Sequence, residues 1–222
     1  MIRYKGLILE DSFRAQGLRK KLVQEITLKG ISDKRVLDAI GKIPRHYFLD
    51  SSFLEFAYSD KPFPIGEGQT ISQPYTVAFQ SQLLQINAGH KVPEIETGTA
   101  SPAIVLMEMG AKVYSIERVK ALYDKAKEFL PLLGYKPKLY YGDGYKGLPR
   151  LAPFDRIIVT AAAPEVPRDL LAQLADDGIL IIPVGDSNGV QVMKSIHKDS
   201  NGVFTEKEHG QFRFVPMLED KK

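Results

Sequence analysis

Lys91-Val-Pro-Glu-Ile-Glu-Thr-Gly-Thr-Ala-Ser101 followed by Lys112-Val-Tyr-Ser-Ile-Glu117 decides the fold of this chain. Lys91 to Ile95 and Lys112 to Ile116 have the length and apolar content of buried strands, and Pro102 to Met109 between them reads as a helix that the proline can open. The alternation continues downstream. Lys120 to Leu133 predicts a helix and Lys138 to Tyr141 a short strand. Arg156 to Thr160 predicts a strand, Pro167 to Leu174 a helix and Ile179 to Val184 a strand. Strands and helices alternating at this spacing imply a parallel sheet covered by helices on both faces. The rhythm then changes. Val190 to His197 and Gln211 to Val215 have no helix between them and flank the turn Asp199-Ser-Asn-Gly202, so an antiparallel hairpin is expected at the sheet edge.

Upstream, residues 1–90 read as a mainly helical part. Asp11 or Ser12 can cap a helix bearing Leu18, Leu22 and Ile26 on one face, and Gly30 can end it. Ser32 or Asp33 can cap a second helix with Val36, Leu37 and Ile40, closed by Pro44. Residues 58–74 contain Lys61-Pro-Phe-Pro-Ile-Gly-Glu-Gly-Gln-Thr-Ile-Ser-Gln-Pro74, too apolar for a free linker and too rich in proline and glycine for a helix. A helix with Phe79, Leu83 and Ile86 on its buried face is expected next. The tail, Glu219 to Lys222, reads as frayed. The whole, 1–222, is expected to form a single domain, with 91–222 as its α/β core.

Composition narrows the function. A net charge of +3 in 222 residues gives no electrostatic case for nucleic acid or an anionic membrane. The absence of cysteine excludes disulfides and thiolate metal sites. His46, His90, His197 and His209 lie far apart in unlike contexts, so no metal is expected. With no signal-peptide pattern and no apolar run of membrane length, the expected compartment is the cytoplasm.

In an open α/β sheet the ligand sits beyond the carboxyl ends of the strands. Here those ends carry Glu94-Ile-Glu-Thr-Gly98, Ser115-Ile-Glu117, Gly142-Asp-Gly144 and Thr160-Ala-Ala-Ala-Pro164. Glu117 lies 19 residues beyond Gly98, the spacing at which a carboxylate accepts ribose hydroxyls. Asp143 between two glycines suits an adenine edge. Each acid alone is an ordinary helix cap and each glycine an ordinary turn residue; their order along the chain carries the reading. A dinucleotide dehydrogenase is compatible with the same geometry.

The loop Pro64-Ile-Gly-Glu-Gly-Gln-Thr-Ile-Ser72 resembles the signature of protein-L-isoaspartate O-methyltransferases. So do Ile43-Pro-Arg-His-Tyr-Phe48, Tyr114-Ser-Ile-Glu-Arg118, Ala152-Pro-Phe-Asp155 and Phe214-Val-Pro-Met-Leu218. The likeness spans roughly residues 12–218. It implies an α/β fold with a doubly wound, mostly parallel sheet of the adenosylmethionine-dependent methyltransferase type, with N-terminal helices and a C-terminal antiparallel hairpin. It also implies methyl transfer from S-adenosyl-L-methionine, leaving S-adenosyl-L-homocysteine, to the α-carboxylate of L-isoaspartyl residues in damaged proteins. By resemblance Ser72 takes the catalytic role, and Ile65, Gly66, Ser72 and Val215 meet the peptide. Thr70, Ile71, Glu94, Gly98, Glu117, Asp143 and Gly144 meet the cofactor. The competing reading of Ser72 is an N-cap for the helix near Tyr75.

One loop departs from the family pattern. Glu96 and Ala100 stand where the family has glycine, Pro93 interrupts the strand, and Asp176-Asp177-Gly178 replaces a Pro-Gly-Gly turn. A carboxylate at Glu96 is expected to oppose the cofactor's own carboxylate and weaken binding, so that restoring both glycines tightens it at least roughly tenfold. Two other readings follow: a peptide-binding homologue that has lost the cofactor, and a methyltransferase for another carboxylate or a small molecule.

Overall fold

A computed structural model describes residues 2–4, 6–186 and 189–218; the frayed tail expected at 219–222 lies outside them. The chain opens with a small hairpin, β1 (Ile2–Tyr4) and β2 (Leu7–Leu9). Ser12 then caps α1 (Phe13–Leu28) by accepting from the Ala15 N–H at 3.2 Å, and Gly30, at φ +101°, ends it. Asp33 caps α2 (Lys34–Lys42) through the Arg35 N–H at 2.9 Å. The segment rich in proline and glycine folds into a second hairpin, β3 (Phe63–Gly66) and β4 (Gln69–Ile71), and leads into α3 (Pro74–Leu83). The part read as helical therefore contains two hairpins as well.

The α/β core follows the predicted alternation. It runs β5 (Lys91–Ile95), α4 (Ser101–Glu108), β6 (Lys112–Glu117), α5 (Lys120–Phe129), β7 (Lys138–Tyr141) and β8 (Phe154–Val159). After these come α6 (Arg168–Ala172), β9 (Leu174–Val184), β10 (Gln191–Lys198) and β11 (Phe204–Phe212). The seven strands β5 to β11 form one sheet in the order β11-β10-β9-β8-β5-β6-β7. Neighbours from β7 to β9 pair in parallel, and β10 runs antiparallel to both β9 and β11. The chain leaves β5 towards β6 and β7, then crosses back to β8 on the other side. This reversal opens a crevice above β5 and β8, where such sheets bind ligands.

Period-two alternation divides the interior between the two faces of the sheet. Ile158, Ile179 and Ile181 join a cluster that reaches through α3 and α4 to Leu22 and Ile26 of α1. Ile157, Val159, Leu180 and Ile182 face the other way, onto Leu170 of α6 and Met217.

Some boundaries differ from the sequence reading for physical reasons. Pro93 does not interrupt β5. It pairs with Tyr114 of β6, and only the ladder to β8 is shortened, beginning at Glu94. The Asp155 carboxylate takes the Lys91 N–H at 2.7 Å instead. The buried face of α3 is formed by Val77, Gln80 and Ser81, with Leu84 just beyond, while Phe79 is half-buried against Phe212 of β11. α5 gives way at Leu130 to a tighter turn that Gly134 closes at φ +85°. Asp176 to Gly178, read as a surface turn, lie within β9, where Asp177 sits at φ +57° and Asp176 pairs with Lys198 at 2.8 Å.

Candidate active site

The loop after β5 is held from both sides. The N–H groups of Glu96 and Thr97 both donate to the Ile116 carbonyl at 3.0 Å. The Thr160 hydroxyl donates to the Glu96 carbonyl at 2.6 Å. Between these anchors the backbone takes three left-handed residues: Glu96 at φ +72°, Gly98 at +51° and Ala100 at +59°. Glu96 and Ala100 thus both hold the conformation that glycine adopts without strain. Pro102 opens α4 as its composition suggests.

Four acids surround this loop and their roles differ. Glu94 is fully buried. One oxygen accepts the Ala103 N–H at the start of α4 at 2.9 Å and the other the Ser115 hydroxyl at 2.5 Å, so it fastens helix to strand and does not face the crevice. Burial pushes its carboxyl up to about 8. Glu117, at the end of β6, accepts the Gly98 and Val119 N–H groups, each at 2.7 Å, and lines the crevice. Burial raises it above the ordinary carboxylate range despite those donors. Asp143 accepts the Tyr145 N–H at 2.9 Å and pairs with Lys146 at 3.5 Å. Beside it, Gly144 cannot carry a side chain: a Cβ there would stand 2.6 Å from Ile95 and 2.9 Å from Oε1 of Glu96.

Glu96 is the unusual member. Its carboxyl is turned inward, with 9% of the residue exposed, and Oε1 has no hydrogen-bond partner. Burial, then the charges of Glu117 and Asp143, push it up to about 8. A carboxyl that binds its proton more tightly when folded stabilises the fold fully below the ordinary carboxylate range. That contribution fades as pH rises towards about 8. Glu96→Gly removes the left-handed strain and the unsatisfied carboxyl together. We expect it to raise the unfolding free energy by about 2 kcal/mol and to make the decline of Tm between pH 5 and 8 shallower, roughly by the share one group contributes. A Tm below that of the natural chain at pH 8 would show that the inward carboxyl is not a cost.

The crevice opens into a groove of about 620 Å³, walled by Tyr75 and by Phe212 to Val215. Thr70, Ser72, Thr160 and Val215 line both spaces and mark their junction. Ser72 does not cap α3. The N-cap is Gln73, whose side chain makes no capping bond. Asp60 takes over, accepting the Tyr75 N–H at 2.7 Å, the Gln73 amide at 3.0 Å and Lys29 Nζ at 2.6 Å. The Ser72 hydroxyl therefore has no fixed partner among the described residues and faces the junction. Val215 is placed there by the returning chain: its carbonyl accepts the Ala162 N–H at 2.8 Å, and Phe214 N–H donates to buried Gln191.

Of the residues selected from sequence, Thr70, Ser72, Gly98, Glu117 and Val215 come together, with Asp143 and Gly144 bordering them through Glu96. Ile71 does not. It is 1% exposed and belongs to the core. Ile65 packs near Gly98 on the side of Phe48 and Phe129, and Gly66 lies exposed in its hairpin, so neither lines the groove. Thr160 and Asp60 were not singled out. Thr160 opens the strand-end segment Thr160-Ala-Ala-Ala-Pro164, whereas Asp60 acts through partners up to 31 residues away and has no local signature. Among the described residues no group of three His, Asp or Glu side chains is disposed to hold a metal ion.

A doubly wound sheet with an acidic crevice at its reversal point makes this an α/β protein of the adenosylmethionine-dependent methyltransferase type. Solved structures support that class. One, a protein-L-isoaspartate O-methyltransferase, superposes with a TM-score of 0.79 at 29% identity over 89% of this chain; this chain spans 65% of its length. Another, a putative protein-L-isoaspartate O-methyltransferase from Plasmodium falciparum in complex with S-adenosyl-L-homocysteine, gives 0.78 at 25% identity over 91% of this chain and 99% of the other. Residues 17–222 match the model of the family described as protein-L-isoaspartate(D-aspartate) O-methyltransferase. The protein-L-isoaspartate O-methyltransferase of Christiangramia forsetii is 58% identical, and that of Flavobacterium johnsoniae 54%; each match covers 96% of this chain and all of the relative. The chain belongs to the protein-L-isoaspartate(D-aspartate) O-methyltransferase family.

Proposed function

We propose that this protein transfers the methyl group of S-adenosyl-L-methionine to the α-carboxylate of L-isoaspartyl residues in damaged proteins, working as one unit from its N-terminal helices to its sheet. The observation that carries the reading is the junction at Thr70, Ser72, Thr160 and Val215. There a crevice lined by Glu96 and Glu117 meets a groove of about 620 Å³.

The crevice fits the cofactor by its chemistry. The cofactor is a donor-rich nucleoside with a net positive charge. The crevice presents the Glu117 carboxylate, the neighbouring Asp143 and an orphaned Glu96 oxygen, all acceptors. Glu117 would hold the ribose hydroxyls, Asp143 and Gly144 the adenine, and the backbone at Gly98 and the Thr70 side chain the amino-acid part. When bound, S-adenosyl-L-methionine supplies a methyl group already activated on sulfonium, and the product is S-adenosyl-L-homocysteine. The chain's own residues have less to do. A carboxylate is ionised at neutral pH, so no strong general base is required. The free Ser72 hydroxyl donates to the substrate carboxylate and fixes its direction, Thr160 holds the loop beside it, and Tyr75, Phe212 and Val215 keep water from the junction. The chemistry needs no metal and no nucleic acid. The cytoplasm is the compartment that suits it; no helix among the described residues is long and apolar enough to cross a membrane.

The test uses the purified protein, methyl-labelled S-adenosyl-L-methionine, and two peptides that differ only in an isoaspartyl or an aspartyl linkage. Label is expected on the isoaspartyl peptide alone, as a base-labile ester. Equal labelling of both would point to another carboxylate substrate. No labelling, despite cofactor binding, would refute the reading.

A further inference from the structure

Glu96 departs from its family's glycine, yet the structure does not leave it idle. Its backbone is pinned on one side by the Ile116 carbonyl and on the other by the Thr160 hydroxyl, so at φ +72° the side chain has little freedom to swing into solvent. The carboxyl lines the crevice next to Gly144, and its Oε1 is buried without a partner. The charges that bear on it are Glu117 at the end of β6 and Asp143 after β7. Arg118 opposes them in part, and Ile95 and Met217 contribute only apolar surface around Gly144. Once Glu96 loses its proton, towards pH 8 and above, the interior of the crevice holds more negative charge than the strand-end acids alone would give it.

We propose that Glu96 is a specificity-determining residue that makes the crevice prefer the cationic methyl donor over its neutral thioether product. The inference rests on the cofactor assignment above. Donor and product share the adenosine, the ammonium and the carboxylate, and differ by one methyl group and the positive charge on sulfur. In its ionised form, a carboxylate in a poorly hydrated site favours the ligand that carries the extra positive charge, since screening by salt is weak there. The expectation from sequence, that Glu96 weakens donor binding by opposing the ligand carboxylate, is thereby revised. That repulsion is common to both ligands and is offset by the ammonium next to it. The left-handed strain is present in the free and bound protein alike, so it lowers stability without lowering affinity.

Calorimetry with S-adenosyl-L-methionine and S-adenosyl-L-homocysteine on the natural protein and Glu96→Gln decides the matter. The ratio of product Kd to donor Kd is expected to fall at least roughly tenfold in the variant, mostly through weaker donor binding, with product Kd within about threefold of the natural value. Donor affinity of the natural protein should also rise between pH 6.5 and 8.5, as the carboxyl loses its proton, and should rise less in Glu96→Gln, which retains Glu117, Asp143 and Arg118. Glu96→Gly is the second variant, free of backbone strain, and should show the same fall in ratio. An equal change for both ligands, or none, would overturn the proposal while leaving the cofactor assignment intact. Failure of the natural protein to bind either ligand would overturn both.

Discussion

Ser72→Ala is expected to lower methylation of an isoaspartyl peptide by one to three orders of magnitude, while the Kd for S-adenosyl-L-methionine and the Tm stay close to those of the natural protein. The upper part of that range is the effect of removing one positioned donor from an active site, about 100- to 1,000-fold; the lower part allows for a carboxylate that is already charged before it reacts. The unchanged stability follows from the cap. A serine that capped α3 would take about 1 kcal/mol with it. Here Asp60 already accepts the Tyr75 N–H, and the Ser72 hydroxyl makes no hydrogen bond among the described residues. The two roles therefore separate cleanly. A variant that keeps full turnover and loses stability would return Ser72 to the helix and leave the reaction without its proposed donor.

Glu117→Ala is expected to weaken S-adenosyl-L-methionine binding by about a hundredfold. Two hydrogen bonds from a ligand diol to a carboxylate contribute on the order of 1.5 kcal/mol each, and their sum corresponds to that factor. Glu117 also receives the Gly98 and Val119 N–H groups, so alanine removes a brace of the crevice as well as a ligand contact. Glu117→Gln separates the two. One amide oxygen can still accept from Gly98, the loop keeps its shape, and the loss should shrink to about tenfold. Natural affinity in both variants, measured by calorimetry, would remove Glu117 from the ribose and shift the donor's seat elsewhere in the crevice.

Much of this was legible in the chain because the responsible forces are local. Strands β5, β6 and β8 announce themselves as apolar runs of strand length; Glu117 stands where β6 stops, and Asp143 just beyond the short β7. What was not legible depends on contacts across the fold. Phe79 was placed on the buried face of α3, but that helix is covered from several directions. Gln80 is fully buried, donating to the Val159 carbonyl at 2.9 Å, while Phe79 meets Phe212 from a strand more than a hundred residues later. The last strand was expected at Gln211 to Val215 and lies at Phe204–Phe212. Its first half is an exposed edge of Thr205, Glu206, Lys207 and Glu208, whose polarity hides the strand, and the apolar residues that drew notice belong to the chain's return over Ala162. Glu96 could be recognised as a departure. Its direction could not, since it depends on a φ angle set by Ile116 and Thr160.

The charged face of β11 has a meaning for the company this protein keeps. A damaged protein that has lost part of its packing carries unpaired backbone, and unpaired backbone adheres to any open sheet edge. β11 is an open edge, and it leads directly into the wall of the groove where those chains must come. Glu206, Lys207 and Glu208 in succession, with Lys194 of β10 drawn to Glu206 at 2.5 Å, make a poor template for adhesion. A repair protein built this way can meet a sticky client at its groove and let it go, without seeding an aggregate along its own flank.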